Sequence, residues 1–270
     1  MNPNQALWEK GDFTRIAASM RTSGEALVRG LGVARGMKVL DLGSGDGTTA
    51  VPEARLGADV LGVDISRNLV EAGNRRAKAE GLSNLRFQHG DATNLVDLAD
   101  RQFDLVVSIF GAMFAPTPAV VAKEMVRVTK PGGRIVMGNW IPNDPTFVSQ
   151  VLKISSAFTP PAPEGFISPM LWGVEDHIVG RFGQAGVAPE KISMLKDTYY
   201  FASPDKSPQH MIEIFETFYG PTMNAVEAAR KNGKQQELHA QLVELANAQN
   251  KSRNAGTFIP ATFMRITVSL

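Results

Sequence analysis

The chain has 270 residues, 43 % of them hydrophobic and 20 % charged, with a formal net charge of +1. Such a composition fills a sizeable core in a soluble globular protein, and the length fits one core domain carrying insertions. The near-neutral charge gives no long-range pull toward nucleic acid or an anionic membrane, and the lack of cysteine excludes disulfides, thiolate zinc sites and cysteine nucleophiles.

Met1-Asn2-Pro3-Asn4-Gln5 has neither the basic head nor the apolar stretch of a signal peptide, and no run of about 18 apolar residues offers a membrane span. The expected location is cytoplasmic. In residues 13–31, Ile16, Met20, Leu27 and Leu31 recur at helical spacing. After Gly36, residues 38–42 form a short apolar run closed by glycines, which reads as a buried strand entering a turn, with a helix over about 48–56 behind it. Residues 59–64 read as a strand, and Ser66 as the cap of a helix running to about 80. Residues 84–88 and 103–109 are further strands. A helix over 118–129 is broken by Lys130-Pro131-Gly132-Gly133 before a strand at 134–138. Strands alternating with helices in this way predict a parallel sheet with helices on both faces.

Beyond Trp140, Pro142, Pro145, Pro160, Pro161, Pro163 and Pro169 mark an irregular stretch around a short apolar helix near 147–158. A helix follows at about 174–185, ending at Gly186, then a strand at 191–201. Two amphipathic helices come next. One carries Met211, Ile212, Phe215, Phe218 and Tyr219 on a face; the other includes Leu238, Leu242 and Leu245, with an interruption near Gly233. Strand-like alternation over 257–270 closes the chain.

The chemistry concentrates in Asp41-Leu42-Gly43-Ser44-Gly45-Asp46-Gly47, at the C-terminal end of the first strand and opening a helix. In open parallel sheets ligands bind in that crevice, and Gly43 and Gly45 allow close approach of the backbone. Asp64 ends the next strand, where a carboxylate can accept from both hydroxyls of an adenosine ribose. Asp91 follows the third strand and is placed either for an adenine amine or as a turn aspartate bonding its own backbone. The dinucleotide fingerprint Gly-x-Gly-x-x-Gly sets a pyrophosphate on a helix N-terminus. Here the spacing is Gly43-x-Gly45-x-Gly47 with Asp41 and Asp46 alongside. Two carboxylates would repel a pyrophosphate but tolerate a cationic sulfonium and an ammonium.

At this point the sequence resembles the class I S-adenosylmethionine-dependent methyltransferases. Val39 to Gly47 looks like the family's first motif, Gly62-Val63-Asp64-Ile65-Ser66 its second, and Gly90-Asp91-Ala92 its adenine-contacting segment. Phe103-Asp104-Leu105-Val106-Val107-Ser108 resembles the fourth strand, and Lys130-Pro131-Gly132-Gly133-Arg134 the turn before the fifth. Order and spacing agree over about residues 36–140, most closely with small-molecule methyltransferases of the quinone-precursor type.

The resemblance implies an α/β fold: a Rossmann-like three-layer sandwich whose seven-stranded, mostly parallel sheet has an antiparallel last strand. It divides the chain into N-terminal lid helices over 1–35, a cofactor-binding core over 36–140, and a remainder over 141–270. The remainder holds the last strands and helical cap insertions at about 141–173 and 203–256. The implied cofactor is S-adenosyl-L-methionine, with S-adenosyl-L-homocysteine as product. The implied contacts are Trp8 and Phe13 from the lid, Asp41, Gly43, Ser44 and Gly45 from the loop, then Asp64, Ile65, Asp91, Ala92, Ser108 and Ile109. Phe110, Met113, Trp140, Trp172, His210 and Tyr219 belong to elements that could form the acceptor pocket, and no residue stands out as a catalytic base.

The Asp/Asn-Pro-Pro-aromatic motif of amino-group DNA methyltransferases is missing, since Ser108-Ile109-Phe110-Gly111 stands in its place, and no metal-ligand cluster is visible. The expected partner is therefore a small, hydrophobic or aromatic metabolite rather than nucleic acid or metal, methylated on O, N or C by in-line displacement. A cofactor-binding module without transfer is the alternative reading, and a nicotinamide oxidoreductase is disfavoured by the loop spacing. The oligomeric state, monomer or homodimer, is left open.

Overall fold

A computed structural model describes residues 4–270. Met1, Asn2 and Pro3, part of the stretch read for a leader, lie outside the described residues. The sheet is formed by β1 (Lys38–Leu42), β2 (Asp59–Asp64), β3 (Leu85–His89), β4 (Phe103–Ile109), β5 (Thr129–Trp140), β6 (Ile192–Ser203) and β7 (Thr257–Ser269). Its seven strands run in the order β3-β2-β1-β4-β5-β7-β6, and β7 is antiparallel to both neighbours. Val39 to Leu42 are all buried, as are Leu105 to Ser108. Consecutive buried residues on a strand mean that both faces are covered.

The helices are α1 (Asn4–Lys10), α2 (Thr14–Arg29), α3 (Ala50–Arg55), α4 (Arg67–Ala79), α5 (Pro118–Val128), α6 (Phe147–Ala157), α7 (Glu175–Gln184), α8 (Pro208–Phe218), α9 (Gly220–Lys231) and α10 (Gln235–Gln249). α6, α8, α9 and α10 pack on one another, so the segment between β6 and β7 joins that following β5 in a single helical cluster.

The chain runs outward from β1 to β3 and then returns to β4 beside β1. Parallel pairing of β1 and β4 covers Val39↔Leu105 to Asp41↔Val107. This reversal of winding opens the crevice at the carboxyl ends of the strands. Among the described residues no helix is long and apolar enough to cross a membrane.

Four local expectations differ from the structure. The N-terminal helical stretch begins earlier, as two helices parted at Gly11-Asp12-Phe13, where Asp12 Oδ1 accepts from the Thr14 amide at 3.2 Å and its hydroxyl at 2.5 Å. Lys130-Pro131-Gly132-Gly133 lies within β5 rather than before it. The register jumps from Phe103↔Thr129 to Leu105↔Arg134, and Gly132 N–H donates to Leu270 O while Leu270 N–H donates to Gly133 O. The chain terminus thus supplies the partners that a turn would have supplied internally.

Ser66 sits at the cap position of α4, but its hydroxyl faces Trp8 O and Asn68 rather than the helix amides. The Ser66 amide donates to Asp64 Oδ1 at 2.9 Å and the Arg67 amide to Glu9 Oε1 at 3.2 Å, so the first turn is served by β2 and α1. The two amphipathic helices between β6 and β7 are three. A second break falls at Tyr219, whose extended backbone precedes Gly220-Pro221, and Pro221 lacks the N–H needed to continue α8. Gly233, at φ 69°, makes the expected interruption.

Candidate active site

The glycine loop is held by backbone geometry that only glycine adopts easily. Gly43, Gly45 and Gly47 have φ of 70°, 56° and 90°. The Gly43 and Ser44 amides donate to Val63 O at 2.7 and 3.1 Å, which ties the loop to β2. A Cβ on Gly43 would lie 2.6 Å from Gly111 Cα, so the two loops touch backbone to backbone, whereas nothing lies within 4 Å of a Cβ built on Gly45. The first contact seals the floor of the crevice, and the open space over Gly45 is room for a ligand.

Asp64 is buried at the end of β2. Its Oδ2 accepts from the Gly45 amide at 2.8 Å and its Oδ1 from Ser66. Burial raises its pKa, against the lowering effect of those amides. Asp91 Oδ1 accepts from the Thr93 amide at 2.9 Å and the Thr93 hydroxyl at 2.8 Å. The turn role that the sequence offers for Asp91 is therefore present, and Asp91 also lines the crevice.

The crevice is lined by Gly43, Ser44, Gly45, Asp64, Ile65, Asp91, Ala92, Ile109 and Phe110, with Trp8 and Phe13 over it. Two of the expected contacts stand behind this wall. Asp41 is 1 % exposed; its Oδ2 accepts from the Thr49 hydroxyl at 2.5 Å and its Oδ1 has no partner. Burial first, then the nearby Asp64 charge, pushes its pKa up to about 7 against the Thr49 hydrogen bond. Glu53 on α3 is fully buried with both oxygens unpartnered, and burial with the Asp41 charge raises its pKa well above the usual carboxylate range. Ser108 Oγ donates to Leu42 O at 2.6 Å and accepts from the Ala112 amide at 3.0 Å, holding β1 to the loop after β4.

A second, apolar chamber opens beside the crevice and shares Trp8, Phe13, Met20, Phe110 and Phe114 with it. Trp140, Phe201, Phe215 and Tyr219 complete its ring-lined wall, and no charged side chain lines it. Phe110 stacks on Trp140 with centroids 3.7 Å apart and planes 6° apart, and it has φ 62°. A bulky residue in left-handed backbone is strained, and such strain gathers at functional sites. Trp8 reaches from α1 to Phe114 at 5.0 Å and Tyr219 at 6.1 Å between ring centroids, and Lys10 Nζ pairs with Glu227 Oε2 at 3.1 Å on α9. α1 is thus joined to the helical cluster across the chamber.

Three of the expected pocket residues lie elsewhere. Met113 is packed in the core. Trp172 is fully buried with the Arg181 guanidinium 4.5 Å from its ring centroid and Phe182 at its edge, joining the turn before α7 to that helix. His210 is on the partly exposed side of α8, 3.3 Å from Glu213. Helical periodicity assigns residues to a face but not to the cavity that face meets. Conversely, Phe114 and Tyr199 line the crevice without a signal in the sequence. Tyr199 comes from β6, and its hydroxyl donates to Met20 O at 3.0 Å. Asp46, already inside the glycine motif, lines it as well.

A family model described as a methyltransferase domain matches residues 40–137. An uncharacterized protein of Mycobacterium tuberculosis (strain ATCC 25618 / H37Rv) is 32 % identical over 245 residues, covering 90 % of this chain and 86 % of the relative. The demethylmenaquinone methyltransferase of Paenarthrobacter aurescens is 32 % identical over 172 residues, covering 59 % of this chain and 66 % of that enzyme. Among solved structures, the YcgJ protein of Bacillus subtilis superposes with a TM-score of 0.58 at 17 % identity, over 91 % of this chain and 97 % of that one, a likeness of fold.

Proposed function

Because the chain belongs to the class I S-adenosylmethionine-dependent methyltransferase family, we propose that it methylates a small apolar or aromatic molecule held in the ring-lined chamber. The observation that carries this reading is the chamber itself, walled by rings, free of charged side chains and continuous with the glycine-loop crevice. S-adenosylmethionine supplies an activated methyl group on a sulfonium, with S-adenosylhomocysteine left after transfer.

The chain's own residues bind and orient. The open space over Gly45 and the Asp64 carboxylate at the strand end fit an adenosine ribose, and Asp91 with Ala92 lies where an adenine would extend. Ile65 and Ile109 flank it, while Asp41 and Ser108 support the loop from behind. Phe110, Trp140 and Tyr219 hold the acceptor side, with Trp8 and Phe13 excluding water from above.

No histidine, lysine or carboxylate lines the chamber. Burial raises the Tyr219 and Tyr199 hydroxyls above their usual range, the Asp41 charge adding at Tyr199, so neither serves as a base at neutral pH. Alignment alone can contribute about 7–11 kcal/mol, against roughly 3–5 for a general base. The acceptor therefore brings its own nucleophilic O, N or C atom. The similarity to a demethylmenaquinone methyltransferase supports an acceptor of quinone-precursor type.

A module that holds the cofactor without transfer has no use for an apolar, ring-lined chamber beside the crevice. The test is a labelled-methyl screen against metabolite extracts, alongside titration with S-adenosylmethionine, S-adenosylhomocysteine and NAD. Binding of both adenosyl compounds with label entering an apolar acceptor is the expected result. Binding of NAD alone would overturn the reading, and adenosyl binding with no labelled product would leave the module.

A further inference from the structure

The two buried tyrosines of the site differ at their polar ends. Tyr199, on the crevice wall, has its hydroxyl committed to Met20 O at 3.0 Å. Tyr219 lines the chamber and is 5 % exposed, yet no described residue bonds its hydroxyl. Its oxygen is not walled in by protein atoms, as the unpartnered indole nitrogen of Trp172 is, so open space remains before it. The indole N–H of Trp140, another chamber residue, is in the same condition. Among the described side chains lining the chamber, the oxygen of Tyr219 is the only one.

The backbone fixes Tyr219 in place. It stands at the break between α8 and α9 with φ −94° and ψ 111°, while its amide still donates to Phe215 O at 3.0 Å. The N-terminal segment packs tightly on that break. A Cβ on Gly11 would lie 2.5 Å from Phe218 O, and one on Gly220 2.9 Å from Leu7 Cγ. Trp8, Phe13 and Phe215 surround the phenol ring, with centroids 6.1, 6.3 and 5.2 Å away. A phenylalanine would pack there equally well without burying a hydroxyl, and a buried donor without a partner is costly. Water is a poor remedy, because it needs about 2–4 polar partners and the walls are mostly rings.

We propose that the Tyr219 hydroxyl donates a hydrogen bond to an oxygen of the methyl acceptor, selecting carbonyl- or phenol-bearing aromatic molecules over hydrocarbons and amines. This rests on the reading of the chamber as the acceptor site and narrows the class of molecule it takes. An oxygen lone pair meets the unused donor. A protonated amine would lose its hydration with no carboxylate to receive it, and only ring faces in return. Tyr219 thus orients the acceptor and takes no proton from it, since burial keeps the hydroxyl protonated at neutral pH.

Titration of the whole chain saturated with S-adenosylhomocysteine tests this with three single-ring probes. Acetophenone carries an acceptor oxygen, ethylbenzene lacks one, and benzylamine is cationic at neutral pH. Wild-type protein should bind the first two and bind benzylamine most weakly. Tyr219→Phe should weaken acetophenone by about three- to tenfold, the loss of one neutral hydrogen bond, and leave ethylbenzene unchanged. Unaltered binding of S-adenosylhomocysteine by Tyr219→Phe shows that the variant is folded.

Equal weakening of acetophenone and ethylbenzene would make Tyr219 a packing residue and overturn the inference. So would a variant that binds acetophenone as wild type does. Tighter binding of benzylamine than of acetophenone by wild-type protein would mark the chamber as a cation site and overturn the proposed class. Binding of none of the three would refute the chamber as the acceptor site, and the inference with it. Failure to bind S-adenosylhomocysteine would refute the cofactor assignment on which both depend.

Discussion

Single carboxylates near the glycine loop differ in what they do because they differ in partners. Asp64 faces the crevice and also anchors the Gly45 and Ser66 amides. Asp64→Ala should weaken S-adenosylhomocysteine by more than about tenfold, the loss of a hydrogen bond to a charged group; unchanged affinity in a titration would remove the ribose role. Asp41 faces away and holds its proton up to about pH 7 because it is buried. Between about pH 4 and 7 the native state keeps a proton that the unfolded chain has released, so stability is full at the acid end and falls as pH rises through that window. Glu53, raised for the same reason, acts with the same sign. Urea unfolding across that range should show the slope, and Asp41→Asn should flatten it. Of these residues Asp64 was legible from its strand-end position, but the inward turn of Asp41 was not, because strand alternation does not say which way a carboxylate at the rim is met.

At the scale of elements, the site exists because loops after two strands touch. Gly43 and Gly111 come from β1 and β4 and approach with no room for a side chain. Gly43→Ala should destabilise the protein by roughly 1–3 kcal/mol or more, through left-handed strain and the clash together, measurable as a lower urea midpoint. The N-terminal helix α1 is the second element of consequence. α1 bears on the site through Trp8, packed on Phe13, Phe114 and Tyr219, and through Glu9 at the start of α4. Trp8→Ala should speed release of S-adenosylhomocysteine by about tenfold in stopped-flow displacement, about 1.4 kcal/mol of lost closure. An unaltered release rate would mean that α1 is packing and not a lid. The sequence expected Trp8 and Phe13 over the cofactor, while the split into α1 and α2 and the use of Glu9 on the Arg67 amide depend on how α1 docks.

For the whole molecule, cofactor and fold are linked, since the crevice is built from β1, β2, the loops after β3 and β4, the first two helices and Tyr199 of β6. A ligand present at about 100 times its Kd adds roughly 2.7 kcal/mol to stability, which for a chain of this size is an increase of about 5–10 °C in Tm. S-adenosylhomocysteine should produce that shift in a thermal melt and NAD should not. A shift with NAD alone would reverse the choice of cofactor. The chamber is likewise a property of the assembled chain, drawing rings from α1, β5, β6 and α8.

By itself the sequence determined the strand-and-helix alternation, the glycine loop with its acids, and through them the family. Each is written in a short stretch where periodicity, turn chemistry and motif spacing act locally. The tertiary structure decided which residues face the acceptor. Phe114, Phe201 and Tyr199 entered the site, while Met113, Trp172 and His210 packed or pointed elsewhere. It also brought Arg21 to Asp46 across 25 positions of sequence. Such meetings depend on which faces of remote helices and strands are pressed together, and an amphipathic pattern marks a buried face without naming what it will be buried against.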